Sequence, residues 1–159
     1  MAETRRTGIP SPPPLLVKSM TLVDTGTKFG ARVAERLDRD TIIWLTTVAA
    51  SGTPSPNPVW FLWDGAEFLV FSEPGQAKLR NIARNPRVAL HFNTDATGGD
   101  VAILTGTARI DEQPPTAAEI ARYTEKYAKG LVDIEMTAEK FYATYSTPIR
   151  IAPDRLRGF

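Results

Sequence analysis

The stretch Ser55-Pro56-Asn57-Pro58-Val59-Trp60-Phe61-Leu62-Trp63 constrains this chain more than any other. Pro56 and Pro58 carry no backbone N–H, so alternate donors are missing from the segment. It therefore starts a strand or lies on a sheet edge, and cannot be a fully paired central strand. Two readings stay open. The prolines shield an edge from aggregation, or the free carbonyls and remaining N–H groups face a planar ligand. From Val59 to Trp63 every position is apolar, so both faces of that strand need cover. One face would meet a barrel interior, the other a cofactor or a second subunit.

Asp64-Gly65 follows, and Ala66–Ser72 returns as a second apolar run. Asp-Gly between two such runs is among the strongest short hairpin signals. The loop Glu73-Pro74-Gly75-Gln76 then feeds a short helix over 77–85, with Leu79, Ile82 and Ala83 buried and Arg80 and Arg84 on another face. The first-turn N–H groups of such a helix, with its dipole, favour an anion. Lys78 sits in that turn, and reads either as a phosphate ligand or as a plain surface lysine. Hairpin, loop, basic helix and the next strand make one candidate cofactor site.

The flanking chain supplies the frame. Residues 1–20 hold four of the thirteen prolines and little apolar periodicity, which predicts an arm, disordered or laid across a partner subunit. A helix is predicted over 27–38 on the spacing of Phe29, Val33, Ala34 and Leu37, and a strand over 41–49. Strand 87–93 alternates, with Val88, Leu90 and Phe92 inward and Arg87, Ala89 and His91 outward. Strand 101–110 contains Gly106, the mark of a bulge or a close backbone approach. Thr116-x-x-Glu119 is a capping box opening a helix with Ile120, Tyr123, Tyr127 and Leu131 on one stripe and Gly130 as its stop. A shorter helix near 137–145 turns Phe141 and Tyr145 inward, and a last strand covers 149–156. The Asp111-Glu112 pair reads as solvated. The sum is about six strands with helices set apart from the sheet, a mainly antiparallel α+β barrel.

Nineteen basic against eighteen acidic residues leave a net charge of +1, which gives no general pull towards nucleic acid or an anionic membrane. Without cysteine, thiolate catalysis and zinc–cysteine sites are excluded, and one histidine, His91, cannot build a multi-histidine metal site. No apolar run approaches the roughly 20 residues of a membrane span. Arg5-Arg6 leads into prolines rather than an apolar segment, so a cytoplasmic protein is expected. Phosphate-loop, dinucleotide-fold and nucleophile-elbow patterns are absent from the sequence. What remains is a pocket of backbone, aromatics and cations, suited to a cofactor that carries its own reactivity.

Asp64-Gly65, Ser72, Lys78, Asn81, Ile82, Asn85, Pro86, Arg87 and Val88 together resemble the pattern of the pyridoxamine 5′-phosphate oxidase-like split β-barrel superfamily, over residues 30–157. The entry Pro56-Asn57-Pro58-Val59-Trp60 and the closing run Pro148–Phe159 look most like its actinobacterial branch that uses the deazaflavin coenzyme F420. The resemblance implies a six-stranded split β-barrel over residues 27–159 after an arm at 1–26. It also implies a homodimer with cofactor sites at the subunit interface, acting on a small-molecule substrate. Carried over, Lys78 would meet the coenzyme phosphate, while Ser55, Asn57, Pro58, Val59 and Trp60 line the deazaflavin ring. Ser72 and Gln76 would lie near its side chain, with Arg80 and Asn81 beside them, and Trp63 close to the site. Arg80, Arg84 and Arg87 would suit an oligoglutamate tail, or are simply a solvated face. The fuller arginine set of the vitamin B6 oxidases is missing. Flavin mononucleotide stays open as the cofactor, as does a module that binds coenzyme or a haem-like ligand without chemistry.

Overall fold

The computed structural model describes residues 21–159. The proline-rich residues 1–20, the bulk of the expected arm, lie outside the described residues. Residues 21–26 already contribute to the core, where Val23 is buried and Leu22 packs against the same cluster.

The first helix, α1 (Lys28–Arg39), is capped by Thr27, whose hydroxyl accepts from the Gly30 amide. Seven strands follow: β1 (Ile43–Val48), β2 (Pro54–Val59), β3 (Leu62–Trp63), β4 (Phe68–Ser72), β5 (Arg87–His91), β6 (Ala102–Ile110) and β7 (Thr147–Gly158). Helix α2 (Ala77–Arg84) joins β4 to β5. Helices α3 (Ala117–Lys126), α4 (Ala128–Asp133) and α5 (Ala138–Thr144) lie between β6 and β7. The capping box forms as expected, with the Thr116 hydroxyl taking the Glu119 amide and the Glu119 carboxylate taking the Thr116 amide.

The strands form one antiparallel sheet in the order β2-β1-β5-β6-β7-β4-β3. Strands β2 and β3 are therefore consecutive in the chain and at opposite edges of the sheet. Seven strands laid flat would put those edges about 29 Å apart. Trp60 and Phe61 alone connect them, and three Cα steps reach at most about 11 Å. The sheet must roll up, and this short connection is the seam of a split barrel. The seam also accounts for seven strands where six were expected, since the apolar run Val59–Trp63 is not one strand. It breaks at Trp60-Phe61 to pass from one edge to the other. The prolines of β2 sit on an edge strand, paired only with β1.

Gly106 serves both predicted purposes. The register between β6 and β7 shifts at Thr105/Gly106, leaving Asp154 as the extra residue of a bulge. A Cβ at Gly106 would collide with the Ala152 carbonyl oxygen. Two cores lie on the two faces of the sheet. Inside the barrel are Leu37, Ile43, Leu45, Phe61, Phe68, Val70, Leu90, Leu104, Ile149 and Ile151. Outside β3 and β4 is a second cluster of Leu62, Leu69, Tyr123, Tyr127, Leu131 and Phe141. Helices α3–α5 of the same chain thus cover the outer apolar face for which a cofactor or second subunit was expected.

The Asp111 carboxylate is not solvated, as the sequence suggested, but lies 3.0 Å from Arg150 Nε. The Arg150 guanidinium also grips Glu119 at 2.5 Å, and so ties β7 to the start of α3.

Candidate functional site

The seam leaves backbone groups that no ladder can pair, and Tyr127 supplies their partners. Its hydroxyl accepts from the Phe61 amide at 2.7 Å, and its single proton goes to the Thr41 carbonyl at 2.8 Å, with the Phe61 carbonyl at 3.0 Å as the alternative acceptor. Trp60, turned outward at the same point, stacks on Tyr127 with centroids 4.4 Å apart and on Phe141 at 5.4 Å. Gly130 makes this possible. Helix α4 runs through it instead of stopping there, and a Cβ would fall 2.9 Å from the Trp60 indole.

Beside this stack is a cavity of about 300 Å3. Pro58, Val59 and Trp60 form one side, Phe71, Ser72 and Glu73 the end of β4, and Gln76 and Lys78 the start of α2. Tyr123, Ile134, Phe141 and Tyr145 close it from the helical layer. Six of the ten residues predicted for the site therefore line one cavity: Pro58, Val59, Trp60, Ser72, Gln76 and Lys78. Ser55 and Asn57 lie further along β2, opposite Thr47 and Leu45, with the Asn57 amide 3.4 Å from the Ser55 carbonyl. Asn81 Nδ2 donates to Thr47 Oγ1 at 3.0 Å, which pins α2 to β1. Arg80 donates to the Gly75 carbonyl at 2.7 Å and braces the loop before the helix. These four do not line the cavity, and two of them hold the element that carries Lys78. Trp63 lies outside it too, packed on Phe68 at 4.7 Å.

The electrostatics centre on Lys78. It is half-buried and, among the described residues, forms no salt bridge. Desolvation lowers its pKa, with the nearby Glu73 carboxylate pulling the other way. The N-cap residue, Gln76, makes no side-chain capping hydrogen bond and instead donates to Glu73 at 3.1 Å; its carbonyl takes the Leu79 amide, which leaves the Ala77 and Lys78 amides of α2 uncapped. Ser72 is buried and donates to the Glu73 carbonyl at 2.9 Å. Arg84 and Arg87 are already engaged, by the Val48 carbonyl and by Asp154 at 2.5 Å. His91 stacks on Trp44 and does not line the cavity. Among the described residues, no group of three or more histidines or carboxylates is placed to hold a metal, and no helix is long and apolar enough to cross a membrane.

Sequence reasoning missed the helical wall. Tyr123 was legible as a core residue of α3, yet it also borders the cavity, and its hydroxyl has no hydrogen-bond partner among the described residues. Burial raises its pKa well above the usual phenol range, so it stays a protonated donor. Phe141 and Tyr145 were legible only as inward-facing, because nothing in their spacing says which cavity they turn towards.

The family model for pyridoxamine 5′-phosphate oxidase matches residues 29–157. No curated protein matches the chain. Among solved structures, the chain is similar to an F420 reductase, at 25% identity and a TM-score of 0.60 over 77% of this chain and 94% of that one. It is also similar to HutZ, the heme storage protein of Vibrio cholerae, at 17% identity and a TM-score of 0.65 over 83% and 95%. A third is a general-stress-protein relative of the pyridoxinephosphate oxidase family from Clostridium acetobutylicum, at 16% and 0.60 over 79% and 84%. The last two likenesses concern the fold alone.

Proposed function

The chain belongs to the pyridoxamine 5′-phosphate oxidase family, and from that premise we propose that it is an oxidoreductase dependent on coenzyme F420, passing hydride to an unsaturated organic substrate. The observation that carries this reading is the cavity itself. It pairs a half-buried lysine, free of salt bridges among the described residues, with a wall of flat rings. An anionic group fits at Lys78 and the uncapped amides of α2, and a planar ring fits against Trp60, Phe141 and Tyr145. When bound, the coenzyme would supply the hydride.

The protein's own part is orientation and exclusion of water. Lys78 anchors the phosphate, with Asn81 and Arg80 fixing the helix and loop that present it. Pro58, Val59 and Trp60 set the plane of the ring, while Ser72 and Gln76 border its side chain. Tyr123 offers the cavity a protonated hydroxyl for a hydrogen bond to the substrate. The similarity to an F420 reductase supports the choice of coenzyme. A cavity of about 300 Å3 is at the small end for ligand sites, which supports a homodimer whose second subunit completes the walls.

Flavin mononucleotide is the second reading, because its phosphate and ring would meet the same Lys78 and aromatic wall. A haem-type ligand would find no histidine among the lining residues. Titration with F420 and, separately, flavin mononucleotide, following tryptophan emission, tests the reading. Quenching of Trp60 by F420 at micromolar concentration supports it, and preference for flavin mononucleotide turns the assignment to the second reading. Silence with both removes the oxidoreductase proposal.

A further inference from the structure

A second cavity, of about 350 Å3, shares none of its lining with the first. Leu37, Asp38 and Arg39 at the end of α1, Leu62 and Trp63 of β3, and Arg122, Glu125 and Lys126 of α3 bound it. Lys126 is the unusual member. Its ammonium lies 3.6 Å from the centroid of the Phe61 ring and 5.6 Å from that of Tyr127. Its hydrogen bond goes to the Leu37 carbonyl at 3.4 Å. Among the described residues no carboxylate comes within salt-bridge distance of it.

Burial without a carboxylate partner favours the free, nucleophilic amine of such a lysine, while the Phe61 face still attracts its ammonium form. Burial brings its pKa down from 10.5 to about 8, against the opposing pull of Asp38 and Asp40. At pH 7 a larger share of this amine is then free than in an ordinary lysine. Arg122 stands one turn earlier on the same helix face and borders the same cavity. Its guanidinium donates to the Trp63 carbonyl at 3.3 Å and forms no salt bridge among the described residues. Arg39, by contrast, is held by Glu35 at 2.9 Å and Asp40 at 3.2 Å. The cavity thus offers an amine nucleophile and, four residues away, a fork-shaped cation with spare donors.

We propose that this cavity binds small carboxylate-bearing aldehydes covalently and reversibly, with Lys126 forming an imine and Arg122 receiving the carboxylate. The Nζ lone pair attacks the aldehyde carbon, a C–N bond forms, and the carbonyl π pair moves to oxygen, which takes a proton. The carbinolamine then loses that oxygen as water while nitrogen gives up its remaining proton, so aldehyde plus amine become imine plus water. No oxidant or reductant enters. A protonated imine would keep its charge above the Phe61 ring, as the ammonium does.

The test treats the full chain at pH 7 with glyoxylate and cyanoborohydride, then maps the labelled lysines by peptide mass spectrometry. Lys126 is expected to label at least 10-fold faster than Lys129, whose side chain is 87% exposed. With propionaldehyde as the neutral probe, the Lys126-to-Lys129 ratio should fall several-fold. Arg122→Gln should bring the glyoxylate ratio down to the propionaldehyde value without altering the circular dichroism. Even labelling of all lysines, or faster labelling of Lys78, would overturn the site. Equal ratios for the two aldehydes would overturn the role of Arg122. The labelling is read without F420 or turnover, so its failure leaves the coenzyme assignment standing and the reverse holds too.

Discussion

Replacing Tyr127 by Phe should cost about 1–3 kcal/mol of stability, the usual penalty for leaving a buried polar group unpaired. The substitution keeps the ring, and with it the stack on Trp60 at 4.4 Å. It deletes only the hydroxyl, which is the acceptor for the Phe61 amide at 2.7 Å and a donor to Thr41 at 2.8 Å. The Phe61 amide sits at the seam, where β2 has ended and β3 has not begun, and the Thr41 carbonyl lies just ahead of β1. No strand can replace the lost partner. Urea unfolding gives the measurement, as a lowered midpoint with an unchanged slope. Melting should drop by about 3–10 °C for a domain of this size. Tyr123→Phe is the internal control, since that hydroxyl is unpartnered among the described residues. It should cost less than about 0.5 kcal/mol, within the range of substitutions that break no bond. Equal losses for the two variants would refute the claim that Tyr127 clasps the seam.

Other expectations follow from the same geometry. Glu119 is held down to about 2 by its bond to the Arg150 guanidinium, opposed by desolvation and helped by the Thr116 amide. Its folded value lies below the ordinary 4.5, so its contribution is present above that pH and is lost as pH falls towards 2. Acid unfolding curves between pH 4.5 and 2 should therefore flatten in Glu119→Gln, and an unchanged curve would count against the pairing. Gly130→Ala should displace the Trp60 ring, shift its emission and weaken ring binding, while barely altering helix content by circular dichroism. A native-like spectrum and affinity would mean that the close approach is not needed.

The barrel was legible because its signals are local. Asp64-Gly65 supplies a hairpin, Val88, Leu90 and Phe92 alternate, and Gly106 marks the place where two strands shift register. The seam was not legible. An unbroken apolar run from Val59 to Trp63 reads as one strand, and only the sheet order shows that it passes between opposite edges. Likewise the Lys78 side of the cavity could be drawn from a continuous stretch of chain, whereas its other wall, Tyr123 to Tyr145, comes 45 to 67 positions after Lys78. Lys126 gave no signal either, because a lysine beside a tyrosine on an amphipathic helix says nothing of a phenylalanine 65 positions away. Asp111 looked solvated for the same reason, its partner Arg150 being set opposite only by the long strand β7.

The measurement that bears most directly on the proposed coenzyme site is the affinity of F420 for the native chain, for Lys78→Ala and for Arg84→Ala, at low and moderate salt. Lys78→Ala should weaken binding by about 1–3 kcal/mol, the cost of losing one charge-assisted contact. Arg84→Ala, whose guanidinium is held by the Val48 carbonyl, should change affinity by far less. Equal affinity in the native chain and Lys78→Ala would contradict the placement of the coenzyme phosphate in this cavity.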